Sequence, residues 1–140
     1  TNNNTGPDLG NYTFKGITYK AKSVTRFNES ISVQDYSGTI VPASNTSLVF
    51  FFSSFPTTSG SYQVIPGGIA PTAPGQVAIL FAGSSYSYNY FGAPSVSGTA
   101  DVTVDSVGKV SVFISNPVTL VGQGAAYDSA SFTVAAVRLP

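Results

Sequence analysis

Residues 97–115 read Ser-Gly-Thr-Ala-Asp-Val-Thr-Val-Asp-Ser-Val-Gly-Lys-Val-Ser-Val-Phe-Ile-Ser, and this stretch decides the fold class. If Asp105 faces Lys109, the three residues between them form a hairpin loop. Gly108 then occupies the position where a type I turn leads into a left-handed residue, which glycine adopts without strain. The pattern therefore predicts a β-hairpin with a defined register.

The two arms of this predicted hairpin match each other residue by residue. Valines face valines on one side and hydroxyls face hydroxyls on the other, in the pairs Val104–Val110, Thr103–Ser111 and Val102–Val112. A shift of one residue would break every one of these pairs. The hairpin fixes a β class but contains no reacting group.

Composition limits the remainder of the chain to one domain with an unusual surface. Its 140 residues suffice for a single core, and 9% of them are charged, against ~25% in an average soluble protein. A weakly charged surface rich in Ser, Thr, Asn and Gly is unusual in the cytoplasm, so we expect a secreted or cell-envelope protein. Residues 1–10 are polar and aperiodic, which predicts a flexible leader before a single domain over 11–140.

Apolar patterning predicts about eight to ten short strands and no helix. Residues 48–52 are apolar at every position, which is typical of a central strand covered on both faces. Asn116-Pro117 is expected to end the second arm of the hairpin, with a short strand following over residues 118–121. The predicted fold is all-β, either an antiparallel sandwich or a small barrel.

The last strand contains a change of phase. Phe132 and Val134 point to one face, whereas Val137 and Leu139 are out of phase with them. A β-bulge at residues 135–136 would bring all four side chains onto one face, because it inserts one extra residue into the alternation. We therefore predict a bulge there.

Missing residue types exclude several classes of function. The chain has no cysteine and no histidine, so thiolate and imidazole ligands and the usual general base at neutral pH are absent. Six basic residues balance six acidic ones without the clustering that a phosphate backbone requires. We expect no metal, no cofactor and no nucleic-acid partner.

Membrane insertion and processing can also be considered from the sequence. The longest apolar run is far shorter than the ~20 residues of a transmembrane helix, so no transmembrane span is expected. Because the chain contains no methionine, we expect a processed or trimmed form from which any targeting segment has been removed.

The acidic residues do not form a recognisable catalytic pair. A glycosidase needs two carboxyl groups within ~5–10 Å of each other, but Asp101 and Asp105 lie on one face of one strand at a separation of ~13 Å. The sequence does not exclude a catalytic pair drawn from Glu29, Asp35 and Asp128. Each of them lies at a strand end or in a loop, however, where acidic residues are commonly exposed without a catalytic role. Gly-x-Ser-x-Gly does not occur, and the single Ser-x-x-Lys match, at residues 106–109, falls in the predicted hairpin loop. We expect no catalytic residue, with a carboxylate-based hydrolase as the minor alternative.

The sharpest binding hypothesis concerns Tyr86, Tyr88 and Tyr90, which alternate with polar residues. On one strand face their rings would be spaced by ~7 Å and would form an amphipathic platform on which a sugar can stack. The alternative is that the same face packs into the core while the polar residues meet water. An exposed face would make the chain a carbohydrate- or peptide-binding module.

Several short motifs together resemble a bacterial family. They are an Asn-rich leader, Phe-Lys-Gly followed by Tyr-Lys-Ala, Pro-Thr-Thr-Ser-Gly-Ser-Tyr at residues 56–62, and a late Ser-Gly-Thr with alternating valines and Gly-Lys-Val. This set resembles small secreted or lipid-anchored β-domains of Bacteroidetes-type envelope proteins, most of which have no assigned activity. The resemblance implies a sandwich-type fold, an envelope location and a lipidated cysteine upstream of Thr1, and it contributes no catalytic residue.

Together these observations predict a non-catalytic binding or adhesion module of the envelope or extracellular space, whose partner is a glycan or a cell-surface protein. One alternative is a structural or assembly domain that offers an uncharged edge strand. The final strand, with Arg138 as its only charge, has that composition. A second alternative is a lipocalin-like barrel for a small ligand, which requires a closed sheet with an apolar interior.

Overall fold

The computed structural model describes residues 8–36, 45–67, 69–83, 89–94, 98–122 and 129–140. In these ranges the chain forms strands and turns, with no helix long and apolar enough to cross a membrane. The all-β prediction is confirmed. The strands are β1 (Asn11–Phe14), β2 (Ile17–Lys20), β3 (Ser23–Phe27), β4 (Ser30–Gln34), β5 (Thr46–Phe52), β6 (Gly60–Val64), β7 (Gln76–Gly83), β8 (Tyr90–Gly92), β9 (Gly98–Val104), β10 (Val110–Gly122) and β11 (Ser129–Arg138).

All eleven strands belong to one sheet, in the order β2-β1-β11-β10-β9-β6-β7-β5-β4-β3, with β8 paired to both β7 and β10. Neighbours are antiparallel except β6 and β7, where Gln63 pairs with Gln76 in parallel. The sheet is therefore mixed, because this pair is parallel within the predominantly antiparallel arrangement that the sequence predicts. A parallel pair needs a long crossover, and the Pro- and Gly-rich segment between Val64 and Gln76 supplies it.

The sheet folds back on itself because its two outermost strands are consecutive in the chain. Only Ala21 and Lys22 separate β2 from β3. The Ala21 N–H donates to the Gly10 carbonyl at 2.9 Å, and the Lys22 N–H donates to the Gln34 carbonyl at 2.8 Å, so these two residues link both ends of the sheet. The result is consistent with a sandwich or a small barrel enclosing one apolar core.

The β9–β10 hairpin has the register that the sequence predicts. Val104 pairs with Val110, Thr103 with Ser111 and Val102 with Val112. Gly108 has a φ of +86°, and the Asp105 N–H donates to the Lys109 carbonyl at 3.0 Å.

The predicted bulge in β11 is also confirmed. The pairs Val112–Val137 and Ile114–Val134 leave Phe113 opposite two residues, and Ala136 has a φ of +52°. Phe132, Val134 and Val137 are consequently all buried, and Leu139 packs against the same core.

The bulge is covered by residues assigned to the flexible leader. Leu9 is buried, and its carbonyl accepts the Arg138 N–H at 3.2 Å. Gly10 has a φ of +90°, and a Cβ atom there would overlap the Ala136 carbonyl. Leu9 and Gly10 therefore belong to the folded part of the chain, because they complete the backbone pairing beside β11. Residues 1–7 lie outside the described ranges.

Three other expectations about the strands need correction. β10 continues through Asn116-Pro117 instead of ending there, because a shift of register between Ile114 and Val118 places the proline where the ladder is interrupted. β5 is central, between β4 and β7, but only one of its faces is buried, since Val49 and Phe51 are half-exposed.

The third correction concerns the edge of the sheet. β11 lies between β1 and β10, so the final strand does not offer an edge to a partner. The edge strands are β2 and β3, which carry Lys20 and Arg26, and charges of this kind oppose edge-to-edge pairing.

Candidate functional site

Tyr90, the one described member of the predicted tyrosine platform, is a core residue. It lies in β8 between Phe81 of β7 and Gly122 of β10, and 2% of its surface is exposed. Its hydroxyl accepts a hydrogen bond from Lys15 Nζ at 3.1 Å. The ring of Tyr90 is therefore not accessible to a ligand. At this position the structure agrees with the alternative in which the tyrosine face packs into the core. Tyr86 and Tyr88 lie outside the described residues.

An aromatic cluster surrounds Tyr90. Its ring centroid lies 4.7 Å from that of Phe14, which is itself 4.7 Å from Phe81. Phe132 is 6.0 Å from Phe81, so rings from β1, β7, β8 and β11 meet at distances typical of favourable aromatic pairs. Because β1 and β7 are far apart in the strand order, these contacts hold the folded-over parts of the sheet together.

A buried hydrogen bond joins β1 to β5 beside this cluster. The Tyr12 hydroxyl and Thr46 Oγ1 are 2.6 Å apart, and both residues are buried. Burial raises the pKa of Tyr12 far above its ordinary value, against the smaller effect of the hydrogen bond from Thr46. The phenol is thus held neutral and has a structural role.

The acidic residues mostly hold turns and loops. Asp8 Oδ1 accepts the Gly10 N–H at 3.0 Å, and Asp35 Oδ1 accepts the Thr46 N–H at 2.7 Å. Asp105 Oδ1 accepts the N–H groups of Val107 and Lys109, both at 2.9 Å. The backbone N–H of Lys109 is the main reason why the pKa of Asp105 lies below its usual range.

The remaining acids do not form a cluster in the described part of the chain. Glu29 and Asp101 are exposed, and Asp128 lies outside the described residues. Across the described ranges there is no group of three or more His, Cys, Asp or Glu side chains that could hold a metal ion.

A groove at the β3–β4 turn presents an aromatic side chain to solvent. Phe27, the last residue of β3, is 71% exposed. It pairs with Ser30, which pairs in turn with Phe51, so the two phenylalanines lie on the same outer face of the sheet. Together with neighbouring side chains they line a groove of about 200 Å³, here called the Phe27 groove, formed by Phe27, Asn28, Glu29, Ser30, Phe51, Phe52 and Ala70.

Hydrogen bonds fix the turn that presents Phe27. Ser30 Oγ donates to the Phe27 carbonyl at 2.8 Å, and Arg26 Nε donates to the Asn28 carbonyl at 2.9 Å. The Arg26 guanidinium also lies 3.7 Å from the ring centroid of Phe55, in a cation–π contact. These interactions use backbone carbonyls and the Phe55 ring, so they hold the turn while the Phe27 ring faces solvent.

The chemistry of the Phe27 groove suits a ligand with both apolar and hydroxyl groups. The Phe27 ring offers an apolar face, and Asn28 and Glu29 add an amide and a carboxylate beside it. The motifs and alternation described above do not predict this site. A signal was present, because Phe27 follows the buried Val24 by three positions and must therefore point to the opposite face of the strand.

Comparison of the chain with protein-family models, with curated proteins and with solved structures finds no match.

Proposed function

We propose that this chain is a non-catalytic binding or adhesion module of the envelope or extracellular space, and that it binds carbohydrate through the Phe27 groove. The observation that carries the proposal is the 71% exposure of Phe27 in a turn fixed by Ser30 and Arg26. Burying a phenylalanine side chain stabilises a fold by ~1.5–3 kcal/mol. Because Phe27 is mostly exposed, it contributes little of this free energy to folding.

The amphipathic nature of a sugar matches this surface. The C–H face of a pyranose ring can lie against the Phe27 ring, while its hydroxyls donate to Glu29 or exchange hydrogen bonds with Asn28. The roles of Asp8, Asp35 and Asp105 as acceptors of backbone N–H groups support a binding function over a hydrolytic one. Binding by Tyr86 and Tyr88 stays a prediction.

The experiment is a glycan-array and polysaccharide pull-down screen of the purified chain beside two variants. Phe27→Ala removes the aromatic ring, and Ile17→Ala removes an apolar side chain that is 52% exposed on the other edge strand, β2. We expect glycans retained by the wild type to be lost by Phe27→Ala and kept by Ile17→Ala. Phe27→Tyr should also keep them, because it retains the ring.

Circular dichroism of each variant serves as the folding control. A folded Phe27→Ala variant that binds the same glycans as the wild type would contradict the proposal. Failure of the wild-type chain to bind any glycan in both the array and the pull-down would also contradict it.

A further inference from the structure

A second cavity lies where β10 begins and β11 ends, beside the β9–β10 turn, and it shares no residue with the Phe27 groove. Lys109 immediately precedes β10 and Ser111 is the second residue of that strand, where it is the direct cross-strand partner of Arg138 in β11. Residues two apart on a strand, and residues directly opposite on neighbouring strands, share one face of a sheet. Their side chains line a cavity of about 350 Å³ together with Asp105.

The two cations of this cavity are available to a ligand. Lys109 and Arg138 are both exposed, and within the described ranges neither has a carboxylate partner closer than 4.0 Å. Oδ1 of the nearby Asp105 accepts hydrogen bonds from the N–H groups of Val107 and Lys109. Lys109 and Asp105 attract each other electrostatically, but neither Lys109 nor Arg138 is held in a close ion pair by a carboxylate of the described residues.

Asp105 also restricts which anion fits. Its backbone hydrogen bonds lower its pKa, so it is ionised at neutral pH and repels a simple anion. The same carboxylate accepts hydrogen bonds from hydroxyl groups, and Ser111 can donate or accept. A matching ligand carries a carboxylate for Lys109 and Arg138 and hydroxyls for Asp105 and Ser111.

The remaining wall of the cavity is apolar. Leu9, Leu139 and Pro140 provide it, and the volume lies at the lower end of the ~300–1,000 Å³ of small-molecule sites. We infer that this cavity binds the uronic acid unit of an acidic polysaccharide, with the sugar carboxylate between Lys109 and Arg138 and an apolar ring face against Leu139. For its biological ligand the inference rests on the proposed glycan-binding function, but it uses none of the residues of the Phe27 groove.

The test is calorimetric titration of the full chain with trigalacturonic acid, with its methyl ester and with acetate. The ester keeps the shape and removes the charge, whereas acetate keeps the charge and removes the hydroxyls. We expect the acid to bind at least about tenfold more tightly than either, as the loss of charge-assisted hydrogen bonds implies.

Variants of equal net charge locate the site. Lys109→Gln with Arg138→Gln should weaken binding of the acid by about tenfold or more. Lys20→Gln with Lys22→Gln removes the same charge at the end of β2 and in the link to β3, and should leave the affinity unchanged. Equal losses in the two double variants, or equal affinities for acid and ester, would overturn the inference, and so would acetate binding as tightly as the acid.

The Phe27→Ala variant separates this inference from the proposed function. Neutral glycans that bind through Phe27, with no preference for the acid, would overturn the inference and leave the proposed function in place. Acid binding that needs Lys109 and Arg138 but survives in Phe27→Ala would support the inference and contradict the assignment of binding to the Phe27 groove.

Discussion

Tyr90 and Phe27 are both aromatic residues at one end of a short strand, yet they have opposite environments. Tyr90 has strands on both sides, β7 and β10, and faces Phe14 of β1, so 2% of its surface is exposed. Phe27 ends an edge strand that pairs with β4 alone among the described strands, and 71% of its surface is exposed. Alternation determines which residues share a face, whereas the number of neighbouring strands determines whether that face is buried.

The difference predicts a separation of roles. Aromatic residues in the interior of the folded sheet hold the fold, and the aromatic residue at its edge is free to contact a ligand. Substitutions in the two regions should therefore affect stability very differently.

The largest difference is expected between Phe81→Ala and Phe27→Ala. Phe81 lies at the centre of the aromatic cluster, so its truncation should lower the free energy of unfolding by ~3–5 kcal/mol. Phe27→Ala removes an exposed ring and should change it by less than ~0.5 kcal/mol. Urea unfolding followed by circular dichroism measures both, and similar losses would show that the two rings have similar environments.

Substitution of a glycine should also cost more stability where the backbone is packed than where it is open to solvent. Gly10→Ala and Gly108→Ala both place a side chain at a positive φ, which destabilises by ~1–2 kcal/mol. At Gly10 the new Cβ also overlaps the Ala136 carbonyl, whereas at Gly108 it meets open space, so Gly10→Ala should lose a further ~1–3 kcal/mol. Equal thermal unfolding midpoints for the two variants would contradict the packing of Gly10 against the bulge.

A smaller effect is expected at the hydrogen bond between Tyr12 and Thr46. Tyr12→Phe and Thr46→Val each leave the other hydroxyl buried and unpaired, which destabilises by ~1–3 kcal/mol. The double variant leaves no unpaired hydroxyl and should be more stable than the sum of the single losses predicts. A double-mutant cycle by urea unfolding measures this coupling, and strictly additive losses would exclude a buried bond between β1 and β5.

The smallest effect concerns Asp105 at the exposed hairpin turn. Because its pKa is lowered by folding, its contribution to stability is present above the ordinary aspartate pKa and is lost as the pH falls through the folded value. Asp105→Asn should therefore show a smaller decrease of unfolding free energy between neutral pH and about pH 2 than the wild type. An identical pH response of Asp105→Asn and the wild type would contradict the turn-capping role.

Local sequence signals predicted the β9–β10 hairpin and the β11 bulge because both depend on neighbours close in sequence. Gly108 and the matched valines set the hairpin register, and the phase change between Val134 and Val137 required one extra residue. The continuation of β10 through Pro117 was missed, because it depends on how β11 and β8 pair along its length.

The burial of Tyr90 and the exposure of Phe27 could not be obtained from alternation alone. Both depend on which strands become neighbours after the sheet folds back, and residues far apart in sequence decide that. The edge strands β2 and β3 give a further example, because they are consecutive in sequence but lie at opposite ends of the strand order. Only the opposite parity of Val24 and Phe27 gave a local indication that Phe27 faces outward.

The contrast between interior and edge aromatics can be measured without knowing the ligand. The ten phenylalanines can be labelled with fluorine, and the ¹⁹F resonances of Phe27, Phe81 and Phe132 assigned by substituting each in turn. Titration with a soluble paramagnetic agent should strongly broaden the Phe27 resonance and leave those of Phe81 and Phe132 sharp. A Phe27 resonance as protected as the other two would contradict the assignment of Phe27 to an open binding surface.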